Sequence, residues 1–201
     1  CCSSAFLAQS PPSFPDPSAT EQRIEQWREL LKQGQAAAVA DSCAQLLAHW
    51  PPRVPEQVRA LAGSLRANAL RQSGRPEEAL ALHQQVLKIR ERLYGAQHHE
   101  VAGSCQNIGN CLLDLDRARE ALPFLQKAAA IKERSFKNYP HRLLSTYISL
   151  GQCYAQMEDF PAAKRCLDQA LEIETRLNGP KSEGLTVILL SLADLQSAQE
   201  Q

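Results

Sequence analysis

Five histidines and seven cysteines are the side chains of this 201-residue sequence with the chemistry to ligate a metal or attack a substrate. The histidines are His49, His83, His98, His99 and His141. A zinc protease sets two histidines four residues apart on a helix with a glutamate between them, and no HExxH occurs here. His98 and His99 are adjacent, in a stretch that reads as a connecting loop. The cysteines are Cys1, Cys2, Cys43, Cys105, Cys111, Cys153 and Cys166; they are odd in number and contain no CxxC pair. Cys105 and Cys111 stand too far apart for a zinc knuckle. Small buried apolar residues are the better description of most of them. His83 reads as a core histidine with its nitrogens satisfied, and His49 as a solvated or capping residue beside Trp50. With no GxSxG, P-loop or GxGxxG present, the sequence is read as non-enzymatic, with no catalytic residue, no cofactor and no metal.

What remains is hydrogen bonding. Asn68, Asn110, Gln152 and Asp194 are polar residues at intervals of 42. Three of the four are amides, which donate and accept at once and so suit the backbone of an extended peptide whatever its sequence. Arg71, Gln72, Gln106, Asp114 and Gln156 lie one helical turn from them, as does Ser64. Arg71 has the fork to pair with an acidic group.

The elements that position this ladder follow from the same interval. Ala67-Asn68-Ala69-Leu70 aligns with Gly109-Asn110-Cys111-Leu112 and with Gly151-Gln152-Cys153-Tyr154. Twelve residues on stand Ala79, Ala121 and Ala163; then come Ile89, Ile131 and Ile173, and Arg92, Arg134 and Arg176. Val101, Leu143 and Leu185 recur ahead of the Gly/Ala column, and a fourth copy begins at Leu192-Ala193-Asp194-Leu195. Each copy reads as two helices joined at Ser73-Gly74-Arg75-Pro76, Leu115-Asp116-Arg117 or Glu158-Asp159-Phe160-Pro161. Small residues in the first helix, and Ala79, Ala121 and Ala163 in the second, are expected to let the backbones cross at about 8 Å. One such pair cannot bury its apolar face alone, whereas stacked pairs can. The arginine column amid Glu91, Glu133 and Glu174 reads as a charge lattice on the helix surface.

Ile108-Gly109-…-Leu112, Ala121-Leu122 and Ala128, and more fully Leu150-Gly151-…-Tyr154, Phe160, Ala163 and Ala170, resemble the tetratricopeptide repeat. The long second helix at Leu87–Gly95, with His98 before Val101-Ala102, is similar to the kinesin-light-chain variant of that repeat. The resemblance covers residues 57 to 201 and implies an all-α, right-handed superhelical solenoid of antiparallel helix pairs. It also implies that the first helices line a concave groove, so the ladder becomes a peptide-binding site. Arg66, where later copies have Ile108, Leu150 and Leu192, and His83, where they have Leu125 and Leu167, depart from the pattern in the first copy.

Three domains are expected. Residues 1–17 form a signal-peptide remnant or a Pro-rich tether, residues 18–52 a divergent helical pair, and residues 53–201 the array, in units of about 57–98, 99–140, 141–182 and a partial 183–201. Four prolines between Ser10 and Pro17 deny a continuous helix there. Ser18-Ala19-Thr20-Glu21 fits a capping box, and Pro51-Pro52 ends the second helix. Cys1–Gln9 is equally consistent with an exported chain, a lipidated cysteine or a cut edge.

Composition narrows the partner. Lys plus Arg and Asp plus Glu stand at 22 each, which argues against nucleic acid, and no run of 18 apolar residues spans a membrane. Hydrophobic residues at 44% with aromatics at only 5% favour closely packed helices over a β-sandwich. The function read from all this is a scaffold binding a protein or peptide. Two further readings accompany it. In one, the array is the sensor of a larger protein whose caspase-like peptidase or kinase domain lies elsewhere. In the other, exposed Val187, Ile188, Leu189 and Leu190 stack copies end to end.

Overall fold

A computed structural model describes residues 17–48 and 55–199. Cys1, Cys2, the Pro-rich segment up to Asp16, His49 and Pro51-Pro52 lie outside the described residues. Those described form nine α-helices and no strand: α1 (Pro17–Lys32), α2 (Ala36–Ala48), α3 (Glu56–Gln72), α4 (Pro76–Tyr94), α5 (His99–Asp114), α6 (Ala118–Ser135), α7 (Leu144–Gln156), α8 (Phe160–Asn178) and α9 (Gly184–Gln199). A short 3-10 turn, Pro140–Arg142, precedes α7.

The 42-residue period is written into the backbone. Gly74, Asp116 and Glu158 occupy the same place in successive helical turns, and all three have positive φ, at 75°, 56° and 63°. A left-handed residue there lets the next amide fold back, so Arg75, Arg117 and Asp159 donate to Leu70, Leu112 and Tyr154 at 3.0, 2.8 and 2.9 Å. The second helices then start in register at Pro76, Ala118 and Phe160.

The chain divides into two compact units, residues 1–93 and 94–201. In the first, α1 packs on α2 and α3, and Ile24, Trp27, Val39, Cys43 and Val86 are buried. Arg92 on α4 bonds Glu56 on α3. In the second, α5 pairs with α6 and α7 with α8, α6 and α8 each lean on the next first helix, and α5, α7 and α9 lie side by side.

The helix crossings differ in one detail from the sequence expectation. Ala121 and Ala163 are fully buried, yet the side chains that fill the space over the glycines are Leu125 and Leu167. A Cβ on Gly109 would stand 2.5 Å from Leu125 Cδ2, and one on Gly151 would stand 2.7 Å from Leu167 Cγ. In the first unit the corresponding pair is Ala67 and His83. His83 is fully buried, and neither ring nitrogen has a hydrogen-bond partner. That corrects the expectation of a satisfied core histidine. Burial first, then the charges of Arg90 and Arg71, lower its pKa to about 4.

The exposed apolar face of α9 is also narrower than expected. Val187, Leu189 and Leu190 are exposed, but Ile188 is completely buried against the preceding helices.

Candidate peptide-binding face

The first helices carry the ladder, and the glycine seats decide where it points. Gly109 and Gly151 face their second helices at close range, so the next residues, Asn110 and Gln152, are rotated by about 100° away from that contact. Asn110 is half-buried and Gln152 exposed. Ser149 on α7 lies 2.8 Å from Asn110 Oδ1 and 2.9 Å from the Ser145 carbonyl. One hydroxyl has one proton, so Ser149 serves one of them at a time. If it donates to Asn110, the amide NH₂ is left over. If it donates to Ser145, Asn110 turns its NH₂ to the hydroxyl and leaves its carbonyl over. Either way half of the Asn110 amide is unengaged among the described residues. Gln152 makes no hydrogen bond to the described residues.

The other expected positions spread over both units. In the second, Asp194 on α9 is exposed, as is Asp114 at the end of α5. Gln156 closes the end of α5 by donating to the Leu113 carbonyl at 3.2 Å. In the first unit, Asn68 and Arg71 are half-buried on α3, Gln72 is exposed and Ser64 is buried. Arg71 has contacts of its own within the structure.

Gln106 departs from the ladder. It is buried, and it is consumed by a polar seam joining α5, α6 and α7. Its Nε2 donates to Ser145 Oγ at 3.0 Å, while its Oε1 accepts from Thr146 Oγ1 at 2.9 Å and from Lys132 Nζ. Lys132 also donates to Thr146 Oγ1 at 2.8 Å. The Lys132 partners are all neutral; burial, followed by the nearby Arg142 charge, lowers its pKa to about 8. Ser145 links the seam to Asn110 through two different atoms: its Oγ accepts from Gln106, and its backbone carbonyl lies 2.9 Å from the Ser149 hydroxyl beside Asn110.

Sequence reading missed this seam, although a signal for it existed. Lys132 stands 42 residues from Arg90 and from Glu174, and all three are buried. Long charged side chains repeating on the inner face of the second helix mark polar cores, not the surface lattice expected for the neighbouring columns. In the neighbouring columns Arg92 pairs with Glu56, Glu133 accepts from the Tyr147 hydroxyl at 3.0 Å, and Glu174 is held by Asn178 and Ser182.

Burial holds three of the described thiols, Cys43, Cys153 and Cys166, away from the thiolate form. Cys153 donates to the Ala118 carbonyl at 3.3 Å. Burial raises Cys153 to about 11 and Cys43 to about 12, so both are neutral thiols at physiological pH. No group of three or more His, Cys, Asp and Glu that could hold a metal occurs among the described residues, and none of the described helices is long and apolar enough to cross a membrane.

Comparison with known proteins matches this architecture. The profile of the family described as Tetratricopeptide repeat matches residues 58–134 and 142–201, more than half of the chain. No curated protein matches in sequence. Among solved structures, two of nearly identical TPR-like repeats assigned to a kinesin light chain of Podosopora anserina superpose with TM-scores of 0.75 and 0.69. Each is 20% identical, with 94% of this chain and 90% of the other covered. BtubC (BKLC) from P. vanneervenii superposes at 0.69 with 19% identity, covering 91% of this chain and 82% of its own. The apo form of RapI gives 0.69 at 20% identity, over 94% and 73%.

Proposed function

Because the chain belongs to the tetratricopeptide repeat family, an all-α helical-repeat class of interaction scaffolds, we propose that it holds an extended peptide against the first helices of its repeats. The observation that carries this reading is the half-engaged amide of Asn110 beside the exposed amide of Gln152, on helices that lie side by side. Both are presented one residue past a glycine packed closely against a leucine of the second helix, so the direction in which each side chain leaves its helix is set before a ligand arrives. Asp194 and Gln156 flank them on α9 and α7. Asn68, Arg71 and Gln72 offer the same chemistry on α3 in the first unit. Gln106 acts from behind, holding Ser145 and through it Ser149. The pair α1–α2 caps the start of the array.

The test uses a random peptide library selected on the whole chain, with the affinity of the selected peptides measured by calorimetry. Two amide–backbone bonds at about 0.5–1.5 kcal/mol each make Asn110→Ala with Gln152→Ala weaken binding by roughly 5- to 150-fold. Circular dichroism and the melting curve stay as in the wild type. Selected peptides that bind the folded double variant with unchanged affinity would place the ligand elsewhere.

A further inference from the structure

The three junctions that follow a second helix are an internal control, because the fold needs the same thing from each. After α4 and α8 the chain leaves the helix through a glycine with positive φ, Gly95 at 84° and Gly179 at 79°. The equivalent position after α6 is Lys137, which has no left-handed backbone. There the chain instead makes a 3-10 turn at Pro140–Arg142, and α7 starts only at Leu144. What the repeat leaves free at this junction has been filled with cations and rings: Arg134, Phe136, Lys137, Tyr139, His141 and Arg142 within nine residues.

These cations lack counter-ions. Elsewhere in the molecule arginine and lysine find carboxylates, as in Arg75–Glu78, Arg117–Glu120, Arg92–Glu56 and Lys164–Asp168. Among the described residues no carboxylate pairs with Arg134, Lys137, Arg142 or Arg176. Arg134 bonds only a backbone carbonyl, that of Ala130 at 3.1 Å. Arg142 lies over the Phe136 ring, 5.2 Å from its centre. Of the acids around the junction, Glu133 accepts from the Tyr147 hydroxyl, Glu100 lies 3.9 Å from His99, and Glu172 lines the cavity beside Pro140 together with Arg176. Lys132, buried just beneath, adds one more positive charge with neutral partners only.

The rings are placed as contact surface. Tyr139 is 59% exposed, edge-on to His141 at 6.1 Å. Beside them opens a cavity of about 200 Å³ lined by Pro140, Tyr147, Ile173, Gln169, Glu172 and Arg176. Pro140 and Ile173 give its lining an apolar part, and Gln169, Glu172 and Arg176 a polar one that carries one charge of each sign.

We propose that this α6–α7 junction is a second docking surface, separate from the amide ladder, for an acidic peptide segment whose carboxylates meet Arg134, Lys137, Arg142 and Arg176 while one apolar side chain enters the cavity beside Pro140. Charge complementarity carries the assignment, and unpaired guanidinium forks favour carboxylates. A polynucleotide would need a longer basic track than this neutral chain provides.

The experiment measures fluorescence anisotropy of a labelled twelve-residue peptide of Glu and Asp with a central Leu. Its partners in the comparison are the same peptide with Lys for every acid and a labelled 20-nucleotide single-stranded DNA. The acidic peptide binds the wild type, and the Lys peptide does not. Affinity falls at least tenfold when Arg134, Lys137 and Arg142 are each changed to Gln, and falls again with rising salt. Asn110→Ala with Gln152→Ala leaves it unchanged, so this surface and the ladder fail independently. Absence of binding by the acidic peptide, tighter binding of the DNA, or loss with the ladder variant instead of the junction variant would each overturn the assignment. The three substitutions are all at exposed positions, so a folded variant is expected, and an unchanged melting curve verifies it.

Discussion

At the scale of single residues, His83 shows what a repeat tolerates when one position breaks rank. Its counterparts are Leu125 and Leu167, each seated on a glycine, whereas His83 stands in the copy with Ala67. The ring fills the volume that a leucine fills elsewhere but strands two nitrogens. A consequence in pH follows. In the unfolded chain the imidazole takes up its proton near 6.5; in the folded chain it does so only near 4. The site's contribution to stability is therefore complete above pH 6.5 and drains away as the pH falls toward 4, by about 3 kcal/mol in all. Urea denaturation should show roughly 2 kcal/mol of loss between about pH 7.5 and about pH 5, with His83→Leu much flatter across that window whatever its absolute stability. Equal slopes for both proteins would mean that the ring is hydrated in solution. The histidine was visible in the sequence as a mismatch in its column. Its lack of partners was not, because hydrogen bonds across α3 and α4 depend on side-chain directions that a column does not record.

At the scale of helices, the same glycine substitution should have opposite signs at two positions of α5. Gly109→Ala puts a Cβ 2.5 Å from Leu125 and should destabilise by about 1–3 kcal/mol through overpacking. Gly103→Ala meets nothing within 4 Å and should stabilise by about 0.5–1 kcal/mol through helix propensity. Thermal melts of the two variants side by side decide it, and a stabilising Gly109→Ala would mean that α6 is not held against α5 at this crossing. Helix order, the turns and the register of the second helices were legible from the period, because each recurs with a physical reason that recurs too, a left-handed turn residue and a small crossing residue; that Leu125 and Leu167 seat over the glycines was not. The orientation of Asn110 and Gln152 was legible because it follows from the glycine beside each; the ladder they are proposed to form is what the peptide selection tests. Gln106 was misjudged because its column holds Ser64, Ile148 and Leu190 in the other copies, a mixture that does not reveal the buried Lys132 it serves.

At the scale of the molecule, the second unit should not be equally firm throughout. α5 and α6 are packed against each other and against α7, whereas α9 leans on α8 and α7 and leaves Val187, Leu189 and Leu190 exposed. Native-state hydrogen exchange should find the slowest amides in α5 and α6, and amides in α9 exchanging at least roughly tenfold faster, since fewer buried contacts hold them. Protection of α9 equal to that of α5 at low concentration, vanishing on further dilution, would instead reveal copies covering one another through that face. The polar seam bears on how such an array can change. Ser145 and Thr146 of α7 are met, 42 residues later in α9, by Val187 and Ile188. A hydroxyl pair that satisfies Gln106 and Lys132 in one slot would lose both partners in the next, where Ile148 and Glu174 stand in their places, and the Val-Ile pair moved back would strand a buried ammonium. The repeats share one shape but not one lock. Their order along the chain is thereby fixed by chemistry, so neither a shuffled nor a duplicated copy of α7 can be spliced into the array without a matching Gln and Lys to receive it.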